Sequence, residues 1–192
     1  MSLRSNRHAY GTVAKFFHWI TAFLFLVTYL TIYYREYVAT TDIENWFTIQ
    51  LHMSIGVSLG GIVLLRAMWR YIDLRLCDFK VKASHLLVIK LGHASLYIIM
   101  IVMPLTGILS LINYLTNGGG HIDLFFIYKL DTVAISFFEY TELLLKSVEN
   151  SSKAVHLVTG QYIAPAFIIG HVTAAFYHHF ILRHNTLRKI TF

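Results

Sequence analysis

Four stretches without a single Asp, Glu, Lys or Arg constrain this chain more than any other feature: residues 16–34, 45–65, 91–122 and 154–182, of 19, 21, 32 and 29 residues. A hydrocarbon core about 30 Å thick needs roughly 20 apolar residues in a helix, so each stretch is long enough to cross a bilayer. The expectation is an all-α, four-helix transmembrane bundle forming one domain over residues 1–192. Its spans are predicted at about 16–34, 46–66, 91–113 and 154–182, with a long outer loop at 114–153. Composition excludes the alternatives. Charged residues make up 14% and hydrophobic ones 56%, against about 25% charge in ordinary soluble domains, and an aromatic share of 15% is incompatible with disorder. The single Cys77 cannot pair within the chain, which rules out a disulfide scaffold.

The net charge of +6 would suggest nucleic acid if it were spread over a soluble surface, but it follows the membrane instead. The segments 1–15, 66–90 and 183–192 hold twelve cations and two acids, whereas 35–44 and 123–153 hold four cations and eight acids; +10 and −4 sum to +6. Excess Lys and Arg mark the cytoplasmic side. Both termini are therefore expected in the cytoplasm, with spans 1 and 3 running outward and spans 2 and 4 inward. After the apolar run of the first span comes Thr31-Ile32-Tyr33-Tyr34, which offers no small-residue cleavage site, so this segment reads as a retained span and not a secretory signal. In the outer loop, Gly118-Gly119-Gly120 breaks the third helix, and 122–145 is apolar but punctuated by charge. It reads as a surface-lying amphipathic helix, with a fifth span as the alternative opposed by the basic C-terminal tail. Trp19, Trp46 and Trp69 fall near span ends, where interfacial aromatics sit.

Histidine is the anomaly. The chain has eleven, and His18, His52, His93, His156, His171 and His178 lie in the spans with His179 beside the last. Ionisable side chains inside a membrane are costly and tend to mark function. Neutral imidazole is an axial ligand for haem iron, and helical bundles build such sites from facing helices; for any one His, an interhelical hydrogen bond is the alternative. Depth sorts them. His18 lies near the inner end of span 1 and His52 near the outer end of span 2, while His156 opens span 4 and His171 follows 15 residues later, about 22 Å deeper. His18 and His171 share an inner level, and His52 and His156 an outer one. Two bis-histidine metal sites can thus be stacked across the bilayer, with span 4 serving both.

Fifteen residues overshoot four ideal turns by about 60°, so His156 and His171 would not share a face on a regular helix. Pro165 lies between them. A π-bulge near the proline would absorb one residue and restore the register. Arg66, 14 residues after His52, falls on nearly the same face at the inner level, where it could meet haem propionates or, with Arg70, snorkel to headgroups. Gly56, one turn after His52, with Gly60 and Gly61, offers a bare surface for a flat macrocycle, or for close helix packing or a homodimer contact. The absence of a CxxCH run excludes covalent haem attachment.

The features Tyr10-Gly11 and His18-Trp19, then His52 with Gly56, Arg66 and Arg70, then Leu91-Gly92-His93, Tyr97, Pro104 and Gly107, recur in a known pattern. So do His156, Gly170-His171, Ala174-Ala175, His178-His179 and Asn185-Thr186-Leu187. Across all four spans and both tails the chain resembles the bacterial cytochrome b561 family of the inner membrane. The resemblance implies two non-covalent b haems, ligated by His18 with His171 and by His52 with His156. It also implies electron transfer between an outer-side donor and membrane quinone, with superoxide as donor and ubiquinone as acceptor in well-studied members. The chain departs from the pattern in its outer loop and in the His156–His171 spacing, which is one residue longer. His93 competes for a ligand role, or would bond a propionate or line a quinone pocket; His178 and His179 read as a headgroup-level pair. His8, His85, His121 and His184 fall in tails and loops and are expected to face solvent.

Three functions compete on this basis: a self-contained quinone-linked oxidoreductase, a cytochrome b anchor exchanging electrons with a periplasmic or dehydrogenase partner, and a haem-free bundle using His for protons or metal. Arg35, Lys129, Lys146 and Lys153 are the only outer cations, on a net acidic face, which disfavours an anionic donor such as superoxide.

Overall fold

In the computed structural model, residues 3–5, 10–76, 86–116, 120–130, 142–183 and 185–192 are described. His8, Cys77, His85, Gly118, Gly119 and His184, named above, lie outside the described residues. Helices α1 (Thr12–Tyr37), α2 (Asp42–Leu76) and α3 (Leu86–Leu109) are followed by the short α4 (Ile112–Thr116) and by strands β1 (Ile122–Leu124) and β2 (Tyr128–Leu130). A last long helix runs without a break from 142 to 181 as α5 (Glu142–Val158), a π-helical segment (Thr159–Ile163), α6 (Ala164–Phe176) and a second π-helical segment (Tyr177–Ile181); α7 (Thr186–Ile190) closes the chain. Among the described residues four helices are long and apolar enough to span a membrane. At most a third of each span's most apolar window is buried within the chain; the remainder is available to lipid acyl chains.

Helices α1 and α2 outrun their charge-free windows at both ends because polar residues can cap them beyond the hydrocarbon, whereas α3 ends at Leu109, inside its window and before the glycine run expected to break it. At the start of α2, Thr41 Oγ1 accepts from the Glu44 N–H at 3.2 Å, and Glu44 Oε2 accepts from the N–H of Thr41 at 3.0 Å and of Thr40 at 2.9 Å. This is a reciprocal capping box. Mid-bundle, Phe25, Leu59, Val63 and Met100 form the core, with Leu24, Tyr29, Tyr97 and Ile168 packed against it. Gly60 packs closely, since a Cβ there would lie 3.2 Å from Pro104 Cβ.

Both tails dock at one end of the bundle. The buried Asp73, near the end of α2, accepts from the Ser5 N–H at 3.1 Å and from the Ser5 hydroxyl at 2.5 Å. The Ser5 hydroxyl oxygen in turn accepts from the Gly11 N–H at 3.0 Å. At the other terminus, Trp19 Nε1–H donates to Ile190 O at 3.0 Å and Lys15 Nζ to Thr191 O at 2.5 Å.

Over residues 122–130 the expectation of a surface helix is corrected, while 131–141, which the same expectation covered, lie outside the described residues. Residues 122–130 form an antiparallel hairpin with Asp123 opposite Lys129, and the helix from 142 onward is an extension of span 4. The turn holds Phe125 and Phe126 at φ 50° and 61°, a left-handed conformation that bulky side chains adopt rarely. Tertiary contacts compensate. Gln50 Oε1 accepts from the Asp123 N–H at 3.0 Å, Ser54 Oγ donates to Asp123 O at 2.8 Å and accepts from the Phe125 N–H at 3.1 Å, and Phe126 stacks on Phe47 at 4.5 Å between ring centroids.

Candidate haem-binding pairs

The structure brings together the same two pairs that depth arithmetic sorted. His18 on α1 and His171 on α6 lie at the tail end with ring centroids 6.3 Å apart; His52 on α2 and His156 on α5 lie at the hairpin end, also 6.3 Å apart. An ion held between two imidazoles requires two metal–nitrogen bonds of about 2.0–2.1 Å plus two ring radii of about 1.1 Å, or about 6.3 Å in all. Both gaps fit one metal ion.

The expected π-bulge is present at Thr159–Ile163, immediately before Pro165. Within it the Ala164 N–H bonds Thr159 O, five residues back, and so passes over Gly160 O. The next N–H that could reach Gly160 O belongs to position 165, where proline has none. The stranded carbonyl is taken by Tyr29 of α1, whose hydroxyl donates to it at 2.8 Å. One residue is thereby absorbed, and His156 and His171 behave as if about 14 residues apart.

The hairpin-end pair is held by a repeated device. His52 Nδ1 lies 3.2 Å from Thr28 O and 3.3 Å from Thr31 Oγ1 of α1; His156 Nδ1 lies 3.0 Å from Met103 O and 3.2 Å from Thr106 Oγ1 of α3. Each is a main-chain carbonyl followed three residues later by a Thr, on the neighbouring helix. A carbonyl only accepts, so Nδ1–H donates and the lone pair is left on Nε2, the nitrogen free to bind a metal. Sequence reading missed both threonines. Their signal was a hydroxyl at the depth of a histidine, which is common enough in spans to pass unnoticed.

The tail-end pair differs. Arg66 Nη2 donates to His18 Nδ1 at 3.3 Å, Nη1 points at Met100 Sδ at 3.8 Å, and the guanidinium sits 5.5 Å above the Tyr97 ring. His93 donates from Nδ1 to Ile89 O of its own helix at 2.7 Å and lies 5.6 Å from His171, closer than His18 does. Arg70 lies one turn past Arg66 and is partly exposed. His178 and His179 fall in the second π-segment, beyond His171. His121 is less exposed than expected and pairs through Nε2 with Asp123 Oδ2 at 3.2 Å.

The glycines of α2 differ in their surroundings. A Cβ added to Gly56 would meet nothing within 4 Å, whereas one on Gly60 would press on Pro104, so the glycine stripe divides into open space beside His52 and tight packing one turn on. Gly107 is packed against the His156 ring, with a Cβ position 3.2 Å from Cε1. Among the described residues the buried Trp69 indole N–H, close to Arg66 in α2, has no acceptor. It could serve an acidic oxygen such as a propionate. The paired imidazoles, the cation and the open Gly56 face together suit haem.

No curated protein matches the chain closely enough to count as a relative. The prokaryotic cytochrome b561 family model matches residues 9–192, and with its four apolar helices the chain belongs to that family of multi-pass, b-type electron-transfer cytochromes of the bacterial inner membrane.

Proposed function

We propose that the chain is a di-haem oxidoreductase that passes electrons between a donor on the outer side and membrane quinone, with both termini in the cytoplasm. The observation that carries this reading is the equal 6.3 Å separation of two histidine pairs at opposite ends of the bundle. His18 with His171 and His52 with His156 would hold the two irons, and haem bound there would supply reversible one-electron chemistry. Helix α5–α6 contributes one ligand to each pair and so fixes their spacing at about 20 Å along its axis. Gly56 leaves open space that a macrocycle could occupy, and the charge of Arg66 lies beside the tail-end pair. His93, beside His171, donates its Nδ1–H to Ile89 O, and its neutral ring leaves Nε2 as an acceptor suited to a quinol hydroxyl. Converting quinone to quinol takes two electrons and two protons, so a one-electron donor must act twice for each quinone reduced.

The exposed hairpin tip supports a second reading, in which the donor is a protein. Ile127 is 90% exposed and Tyr128 65%, and Lys129 faces Asp123 across the strands, which offsets its attraction for an anion. The test is a reduced-minus-oxidised spectrum of purified protein with haem counted per polypeptide. Two b haems are expected in the native chain, and one each in His171→Ala and His156→Ala; no b-type absorbance, or two haems retained in either variant, refutes the pairing. Anaerobic addition of superoxide with ubiquinone then separates the donors, since a protein-specific entrance predicts no haem reduction.

A further inference from the structure

The two histidine pairs have equal gaps but opposite surroundings, and this asymmetry has a direction. At the hairpin end both rings donate Nδ1–H to a main-chain carbonyl, with a Thr oxygen as second acceptor: Thr28 O and Thr31 Oγ1 for His52, Met103 O and Thr106 Oγ1 for His156. Thr31 is buried, and each Thr hydroxyl is itself oriented by a bond to its own helix, Thr31 to Thr28 O at 2.8 Å and Thr106 to Val102 O at 2.7 Å. The hydroxyl hydrogens are therefore engaged elsewhere, and the oxygens turn lone pairs toward the imidazoles. A ligand imidazole whose far nitrogen donates a hydrogen bond gives more electron density to its metal and favours the oxidised ion.

At the tail end the polarity is reversed. His18 Nδ1 faces a cation that can only donate, Arg66 Nη2 at 3.3 Å, so this contact offers a ligating His18 no acceptor and adds no density to its ring. The same guanidinium, held over Tyr97 and against Met100, places a positive charge beside the pair, which favours the ion of lower charge.

Resting on the di-haem reading above, we infer that Thr31, Thr106 and Arg66 are positioning residues that set the hairpin-end site at a lower midpoint potential than the tail-end site. Electrons therefore run downhill from the hairpin end to the tail end, toward quinone at the end where the chain termini dock. The direction is built into the side chains around the ligands and does not depend on the donor.

The experiment is an equilibrium redox titration of the purified holoprotein, followed optically, with haem counted first. Two transitions are expected. Thr31→Val and Thr106→Val should raise the lower transition and leave the upper one in place with two haems still bound, and Thr31→Ser and Thr106→Ser should restore the native value. Arg66→Met should lower the upper transition. His171→Ala, which keeps only the hairpin-end pair, should retain the lower transition. Movement of the upper transition by the Thr variants, no movement of either, or retention of the upper transition in His171→Ala overturns the inference. A native haem count other than two overturns the di-haem reading itself, and the inference falls with it.

Discussion

Replacing Tyr29 with Phe removes one oxygen and should cost far more than a surface hydroxyl. In the native chain that hydroxyl donates at 2.8 Å to Gly160 O, a carbonyl bypassed by the π-bulge and denied an N–H at position 165. Hydrogen bonds between membrane helices average about 0.6 kcal/mol and reach about 1.7, because the loosened state usually finds another partner. Here the Ala164 N–H is taken by Thr159 O and Pro165 has none, and a carbonyl left unsatisfied away from water costs about 1–3 kcal/mol. The expected loss is therefore about 1.5 kcal/mol, or roughly tenfold in the folding equilibrium. Unfolding in mixed micelles by increasing fractions of a denaturing detergent gives the value directly. The deciding control is Pro165→Ala, which returns an N–H to the bulge. In that background Tyr29→Phe should cost less than half as much, a coupling that a double-mutant cycle reads. A loss under about 0.3 kcal/mol, against the 1–3 expected for a stranded carbonyl, or an equal loss in both backgrounds, would refute the account of the bulge.

Other expectations follow from the same geometry. Gly56→Leu places a side chain in space that nothing in the chain fills, so the protein should fold and lose one haem; retention of both would return Gly56 to a packing role. Gly107→Ala should gain about 0.8–1.0 kcal/mol of helix propensity yet push on the His156 ring, so the lower redox transition should shift while thermal stability holds. Asp73→Ala leaves the Ser5 N–H and hydroxyl without their acceptor at a buried position, a loss of about 1–3 kcal/mol, measurable as faster tryptic cleavage after Arg4. A cysteine introduced as Leu187→Cys in a Cys77→Ser background should react with a membrane-impermeant thiol reagent from the cytoplasmic side only; labelling from outside would invert the topology.

The spans were legible because the absence of charge over about 20 residues has almost no other explanation in a folded protein. Their ends were not, because Thr41, Glu44 and Asp73 extend α2 well past its apolar window by capping and tail contacts that are set in three dimensions. Counting residues between His156 and His171 exposed a conflict with helical geometry, and the conflict itself pointed to the bulge. The second π-segment carried no such constraint and was invisible. The hairpin could not have been read at all: Phe125-Phe126 occupy left-handed positions where Asn or Gly would signal a turn, and only Gln50, Ser54 and Phe47, more than 70 residues earlier, hold them there. The histidine pairs emerged from depth alone, whereas Thr31 and Thr106 needed the neighbouring helices in place.

The π-bulge also bears on how such a chain can change over evolutionary time. A single inserted codon in a transmembrane helix ordinarily rotates everything beyond it by about 100° and scrambles the far end of a bundle. Here the extra residue is confined to Thr159–Ile163, and the damage is reduced to one displaced carbonyl, to which a tyrosine hydroxyl on another helix donates. Length in codons and length in turns have been uncoupled. Among related chains, those whose two histidines stand 15 positions apart should carry a hydroxyl at the position of Tyr29, and those with a 14-position spacing should be free to place an apolar residue there.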